Sequence, residues 1–332
     1  MHSASLLLMI LCAGLASQWL ASWIRLPAIV VLIAVGLLLG PVSGVVSLNL
    51  PRDQLGELIG LGVAIILFEG GMDLKLGEFR RVGHGVGRLT VLGPPVAWLL
   101  ASLAAHHVAG LEWPVAIVLG AILVVTGPTV IIPLLRQARL NKESAALLKW
   151  EGIVNDPIGV LMAVLAFQYF TISAGDLATT LKGLALAIAV ALVLGGLGGW
   201  AIGWLYRRGG APEHLKPPIL MVLVLAAFWA SNQVQDEAGL LTVTVMGMVI
   251  GNMDLAERDS LQRFKEDLTV VLLSVLFIVI PSQLSPEQLK LVDWRMGAFV
   301  LCIIFLVRPV TIAVATLGAP MRREDKLLLG WI

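Results

Sequence analysis

Five ionisable residues stand inside long apolar stretches of this chain: Glu69, Lys149, Glu151, Asp156 and Arg308. Each costs about 2.5–3.5 kcal/mol to carry into a bilayer, so such groups are functional candidates by default. The richest stretch is 147–159, LLKWEGIVNDPIG, which sets Asn155 and Asp156 directly before Pro157. Proline has no N–H, so the carbonyl of Ile153 loses its helical partner. A carboxylate, an amide and a loosened carbonyl are the oxygen ligands that a dehydrating cation needs. Desolvation penalises an ionised carboxylate. One group can therefore hold a proton or a cation in turn, which is the minimum chemistry for exchanging one against the other. The alternative is that Asn155 and Asp156 are hydrogen-bonding glue between helices.

A second break lies upstream. Thr126-Gly127-Pro128-Thr129 puts two helix breakers and two hydroxyls in the middle of an apolar run. Interrupted helices expose backbone groups, tolerated at depth only where protein or water covers them, and transporters build ion sites from them. The alternative here is a simple proline kink. Arg308 cannot shed its charge and calls for a carboxylate; Glu151 is paired with it as a structural ion pair, with Lys149 as the competing partner. Lys149 can also snorkel. Glu69, in Phe68-Glu69-Gly70-Gly71, is either a site carboxylate or an interfacial one. His84, His106, His107 and His214 fall near loops and suggest no metal site beyond a transported monovalent cation. No nucleophile–base pair stands within the apolar runs, so enzyme chemistry is not expected, nor is a cofactor.

The elements that must position these residues are membrane spans. Of 332 residues, 58% are hydrophobic and 14% charged, against roughly 25% charged in a globular protein. Mean hydropathy is +0.92. The pattern predicts spans near 4–24, 27–45, 55–72, 87–108, 114–135, 145–170, 178–205, 218–233, 237–252, 268–284 and 294–318, called spans one to eleven below. A twelfth starts at Leu327, and the chain is expected to be truncated within it. The first apolar run lacks a basic n-region and is long for a signal peptide, so it reads as a retained span. Seventeen of the 23 Lys and Arg residues fall in loops after odd-numbered spans, and four after even-numbered ones. Under the positive-inside rule this places the N-terminus outside. Asp156 then lies roughly 16 Å into span six, near the midplane of a core about 30 Å thick. The net charge of +1 carries no basic patch for nucleic acid, and Cys12 and Cys302 read as packing residues. The bilayer is the partner this composition demands. Trp19, Trp23, Trp113 and Trp294 sit near expected interfaces.

Taken together, these motifs resemble those of the NhaP-like sodium/proton exchangers of the monovalent cation:proton antiporter family. Glu151-Gly-Ile-Val-Asn-Asp156 is similar to the family's Glu-Ser-x-x-Asn-Asp. Thr126-Gly-Pro-Thr129 resembles its Thr-Asp-Pro break, Arg308-Pro309 its late Arg-Pro, and the run between Pro27 and Pro41 its second span. Gly330-Trp331 resembles the start of its Gly-Trp-x-x-Pro-Arg-Gly segment. The resemblance spans the whole chain. It implies an all-α NhaA/NhaP-like inverted-repeat fold with discontinuous helices in spans five and twelve, and a homodimer. It also implies an elevator-like motion of a core domain in a bacterial plasma membrane. Residues 1–332 would be a membrane transport domain lacking its last spans and any cytosolic domain. Asp156 would bind cation and proton in competition, with Asn155, Thr126, Thr129 and Glu69 near the ion and Glu151 paired to Arg308. Asn at 155 implies electroneutral exchange. Gly127 and Gly152 depart from the family pattern, where Asp and Ser are frequent. Sodium is the expected cation; the alternative is a potassium/proton exchanger or a glutathione-gated-type potassium efflux pathway.

Overall fold

The structure is a computed structural model. It describes residues 3–24, 26–46, 52–77, 89–125, 142–171, 176–210, 212–253, 258–290, 292–317, 326 and 330. Regular structure among them is helical throughout. Seven helices are long and apolar enough to cross a membrane: Ser5–Ile24, Gln54–Asp73, Leu89–His107, Ala145–Thr171, Leu177–Arg207, Glu213–Asn232 and Trp294–Ala315. Four shorter apolar helices, Ala28–Val42, Trp113–Ile122, Ala238–Gly251 and Asp267–Ser282, account for spans two, five, nine and ten. Each of the eleven expected spans thus contains a helix among the described residues, and residues 126–135 of span five lie outside them. The start of the twelfth at Leu327, and Trp331, lie outside the described residues.

Without water, every backbone group inside a bilayer must find a partner within its own helix. That explains why Gly- and Pro-containing apolar runs remain helical here. Among the described residues, three spans contain a π-helical turn: Leu38–Val42 in span two, Ala191–Gly195 in span seven and Ile303–Val307 in span eleven. The last of these delivers the chain directly into Arg308 and Pro309, whose missing N–H does no harm at the first turn of the helix Arg308–Ala315.

The chain divides into two compact units. The first holds residues 1–66 and 256–293, with spans one, two and ten packed on one another. Small residues set the spacing, as expected where helices meet in lipid. A Cβ on Gly36 would stand 2.7 Å from the carbonyl oxygen of Ile278, and Gly14 lies against Ser274 in the same way. Ile10, Leu32, Val46, Ile278 and Val279 close this core.

The second unit holds residues 67–255 and 294–332. Span six is the most enclosed of the long apolar helices: half of its apolar window is buried, against 28% in spans seven and eleven. That enclosure lets it shelter charge. Span nine packs along the end of span three, where Gly71 meets the carbonyl of Thr244 and Gly247 meets that of Phe68. Asn252 locks this seam, donating to the Leu74 carbonyl at 2.7 Å and accepting from the Leu76 N–H at 2.8 Å. The Lys75 ammonium donates to the Gly251 carbonyl at 2.8 Å. Outward faces of both units carry large apolar side chains, and Trp19, Trp23, Trp113 and Trp294 are all exposed, as lipid-facing and interfacial residues must be.

Candidate ion-binding site

Span six is a single helix from Lys142 to Thr171, with Pro157 inside it. This corrects the expectation of a break in span six at midplane. The reason is physical: an internal proline removes one hydrogen bond, and enclosure by neighbouring helices suffices to keep the rest of the ladder intact. What remains true is the local effect, since Pro157 offers no N–H to the carbonyl of Ile153.

Three polar side chains are buried on this helix: Glu151 and Asn155, each 3% exposed, and Asp156, 8% exposed. At 100° per residue, Asn155 lies close to the face of Glu151, and Asp156 is turned a further 100° round. The two carboxylates therefore meet different surroundings. Arg308 Nη1 donates to Glu151 Oε1 at 2.6 Å and Nη2 to Oε2 at 3.4 Å, a forked pair. Two parallel N–H···O contacts suit a planar guanidinium, and the pair is sequestered, with the Arg308 side chain 19% exposed.

Asp156 has no such neutralising partner among the described residues, and its Oδ1 accepts no hydrogen bond there. Asn155 Oδ1 is in the same condition. A buried carboxylate without a countercharge is too costly to persist as a bare anion. It must take up a proton or a cation. The arrangement provides one carboxylate whose charge is already compensated and one whose charge is not, five residues apart on one helix.

Span five approaches this region at its end. Its helix stops at Ile122, and the chain turns through hydrogen bonds from Val124 N–H to the Ala121 carbonyl and from Val125 N–H to the Ile122 carbonyl, both 3.2 Å. Val125 then lies against Gly159, where an added Cβ would stand 2.6 Å from Val125 Cγ2 and 3.2 Å from its backbone nitrogen. Span five is thus brought against span six one turn from Asp156. Thr126, Gly127 and Thr129 lie outside the described residues. Glu69 is half-buried on span three, within the stretch that packs on span nine. Lys149 is half-buried on span six. Among the described residues, no group of three or more His, Cys, Asp or Glu side chains is placed to hold a metal ion.

One polar residue here escaped the sequence reading. Thr311, 3% exposed, lines a cavity together with Glu151, Asn155 and Arg308. The available signal was its spacing: three residues beyond Arg308, it shares the arginine's helical face.

Comparisons with known proteins agree with this architecture. The family profile described as "Sodium/hydrogen exchanger, transmembrane" matches residues 6–332. The K(+)/H(+) antiporter NhaP of Alkalimonas amylolytica is 25% identical over 331 residues, covering 96% of this chain and 56% of that protein. The probable Na(+)/H(+) antiporter 2 of Methanocaldococcus jannaschii is 22% identical, covering 91% of this chain and 74% of that protein. The K(+)/H(+) antiporter NhaP2 of Shewanella oneidensis is 24% identical, and this chain spans 55% of its length. The chain therefore spans only about half the length of several curated relatives it matches. The solved structure of the sodium proton antiporter MjNhaP1 from Methanocaldococcus jannaschii superposes with a TM-score of 0.83 at 24% identity, covering 98% of this chain and 80% of that one. The fold is that of an NhaP-type antiporter.

Proposed function

Because the chain belongs to the sodium/hydrogen exchanger family, a family of transporters, we propose that the protein carrying it exchanges a monovalent cation for protons across a membrane. The observation that carries this reading is the contrast within span six. Glu151 is neutralised by Arg308, whereas Asp156 is buried with no countercharge among the described residues. Asp156 is the group on which proton and cation compete. Each displaces the other because only one can neutralise a single carboxylate.

Asn155 accompanies it as a neutral oxygen ligand. With Asn rather than Asp at 155, exchange is electroneutral, one cation for one proton. Thr126, Thr129 and Glu69 complete the ion's surroundings, and the Glu151–Arg308 pair holds spans six and eleven in register. No separate cofactor is required. Residues 1–332 form a membrane transport domain that works as a homodimer. The asymmetry of basic residues supports an N-terminus outside a bacterial plasma membrane.

Sodium is the cation of the principal reading. A potassium/proton exchanger is the second, favoured by relatives that are named K(+)/H(+) antiporters. Dissipation of a pH gradient by the full-length protein in proteoliposomes, with sodium, potassium and lithium compared, distinguishes them. Cation-driven proton movement in one or more of these salts supports exchange. A current that reverses at the potassium potential with no proton coupling contradicts it.

A further inference from the structure

The ion pair does not fill the space around it. A cavity of about 50 Å³ lies within the second unit among spans four, five, six and eleven, with Pro94, Val124, Glu151, Asn155, Arg308 and Thr311 among its walls. Water needs about 10–15 Å³ of such volume per molecule and two or more polar partners, so this cavity has room for a small cluster. Two of its walls carry oxygens that a dry cavity would strand. Asn155 Oδ1 and Thr311 Oγ1 are both buried and have no hydrogen-bond partner among the described residues.

Thr311 is unusual in this respect. Thr171, Thr242, Thr244 and Thr316 each donate to the carbonyl four residues back, at 2.7, 3.0, 2.9 and 2.7 Å. That back-bond is the ordinary resource of a helical threonine in an apolar setting. Thr311 does not make it. The carbonyl four residues back belongs to Val307, which closes the π-helical turn of span eleven. Such turns recur at functional positions.

The cavity's occupant follows from its charges. A cation is disfavoured, because Arg308 stands in the wall and the one carboxylate there is already committed to it. An anion is disfavoured because the Glu151 carboxylate already neutralises Arg308. Water can donate to Asn155 Oδ1 and can either donate to or accept from the Thr311 hydroxyl. We propose that the cavity is an internal water site, and that Thr311 is a positioning residue which, through that water, fixes the side chain of Asn155 beside Asp156. This rests on the exchange reading above and extends it to a residue of span eleven. It couples the ion pair to the ion site through the i, i+3 relation of Arg308 and Thr311 and the i, i+4 relation of Glu151 and Asn155.

Two measurements on the full-length protein test this. The first is an experimental map fine enough to resolve ordered water. The expected result is density about 2.7–3.0 Å from both Thr311 Oγ1 and Asn155 Oδ1; an empty cavity overturns the proposal. The second is transport by Thr311→Val, which matches the shape of threonine without its hydroxyl, beside Thr311→Ser. Valine should raise the apparent KM for the cation by roughly two- to tenfold, as expected for one lost hydrogen bond, and displace the pH profile of exchange. Serine should restore both. A valine variant with wild-type KM and pH profile, or a serine variant that fails to restore them, overturns the positioning role. If the wild-type protein moves no cation against protons, the exchange reading fails, and the density alone then decides whether the water site exists.

Discussion

Arg308 and Glu151 meet at 2.6 Å across 157 residues of sequence. The contact ties span eleven to span six inside the second unit, and it neutralises one of two neighbouring buried acidic groups. Breaking such a pair on one side leaves a buried charge without compensation, which typically costs about 3–5 kcal/mol. Arg308→Gln should therefore lower thermal stability in detergent sharply. Glu151→Gln combined with Arg308→Gln should recover much of that loss. Equal loss in the single and double variants would contradict the pairing account.

Packing between spans three and nine makes a separate prediction. Gly251 lies against the Met72 backbone, with an added Cβ 2.7 Å from Met72 Cα. Backbone cannot give way as a flexible side chain can. Gly251→Ala should destabilise by about 1–3 kcal/mol through overpacking. Gly56, on span three with open space around it, is the control. There alanine should be neutral or add about 0.5–1 kcal/mol through helix propensity. Melting temperatures of the two variants read the difference.

Asn252 fastens the end of span three by its two backbone bonds, to Leu74 and Leu76. Asn252→Ala leaves that carbonyl and N–H unsatisfied, at about 1–3 kcal/mol for a buried group and less where water can reach. Hydrogen exchange should accelerate selectively at residues 74–77. Uniform protection there would show that other contacts hold the segment.

Asp176 caps the helix Leu177–Val190, accepting from the Ala178 N–H at 3.0 Å and from the Thr179 hydroxyl. The Thr179 hydroxyl chiefly, and the Ala178 N–H next, hold its carboxyl below the ordinary value of 3.8. A lowered value means that the ionised cap stabilises the fold above the ordinary value, and that this is lost as pH falls through the lowered one. Asp176→Ala should melt earlier than wild type at neutral pH, with the difference vanishing in acid. A difference that persists unchanged at low pH would contradict the capping role.

Much of this architecture was legible in the sequence, and for identifiable reasons. Apolar length marks helices directly, which is why each of the eleven spans could be drawn around one. Asp156 and Glu151 stood out because charge is rare at that depth. Other features left no such mark. A π-helical turn adds one residue without changing composition, so the three such turns were invisible. Pro157 read as a break because proline's local penalty is legible and the enclosure that absorbs it is not. The seam of Gly71, Gly247 and Gly251 depends on which helices meet, information that a sequence carries only through its fold. Thr311 carries no mark in the sequence beyond its spacing from Arg308; its missing back-bond and its cavity set it apart only in the structure.

The central claim is that Asp156 alone carries the exchangeable charge, and transport measures it most directly. Full-length protein is reconstituted in proteoliposomes with a pH gradient, and sodium, potassium or lithium is added, for wild type and Asp156→Asn. The account predicts cation-dependent collapse of the gradient by wild type and none by the variant, while the variant elutes and melts as a folded protein. Exchange by Asp156→Asn at the wild-type rate would contradict it.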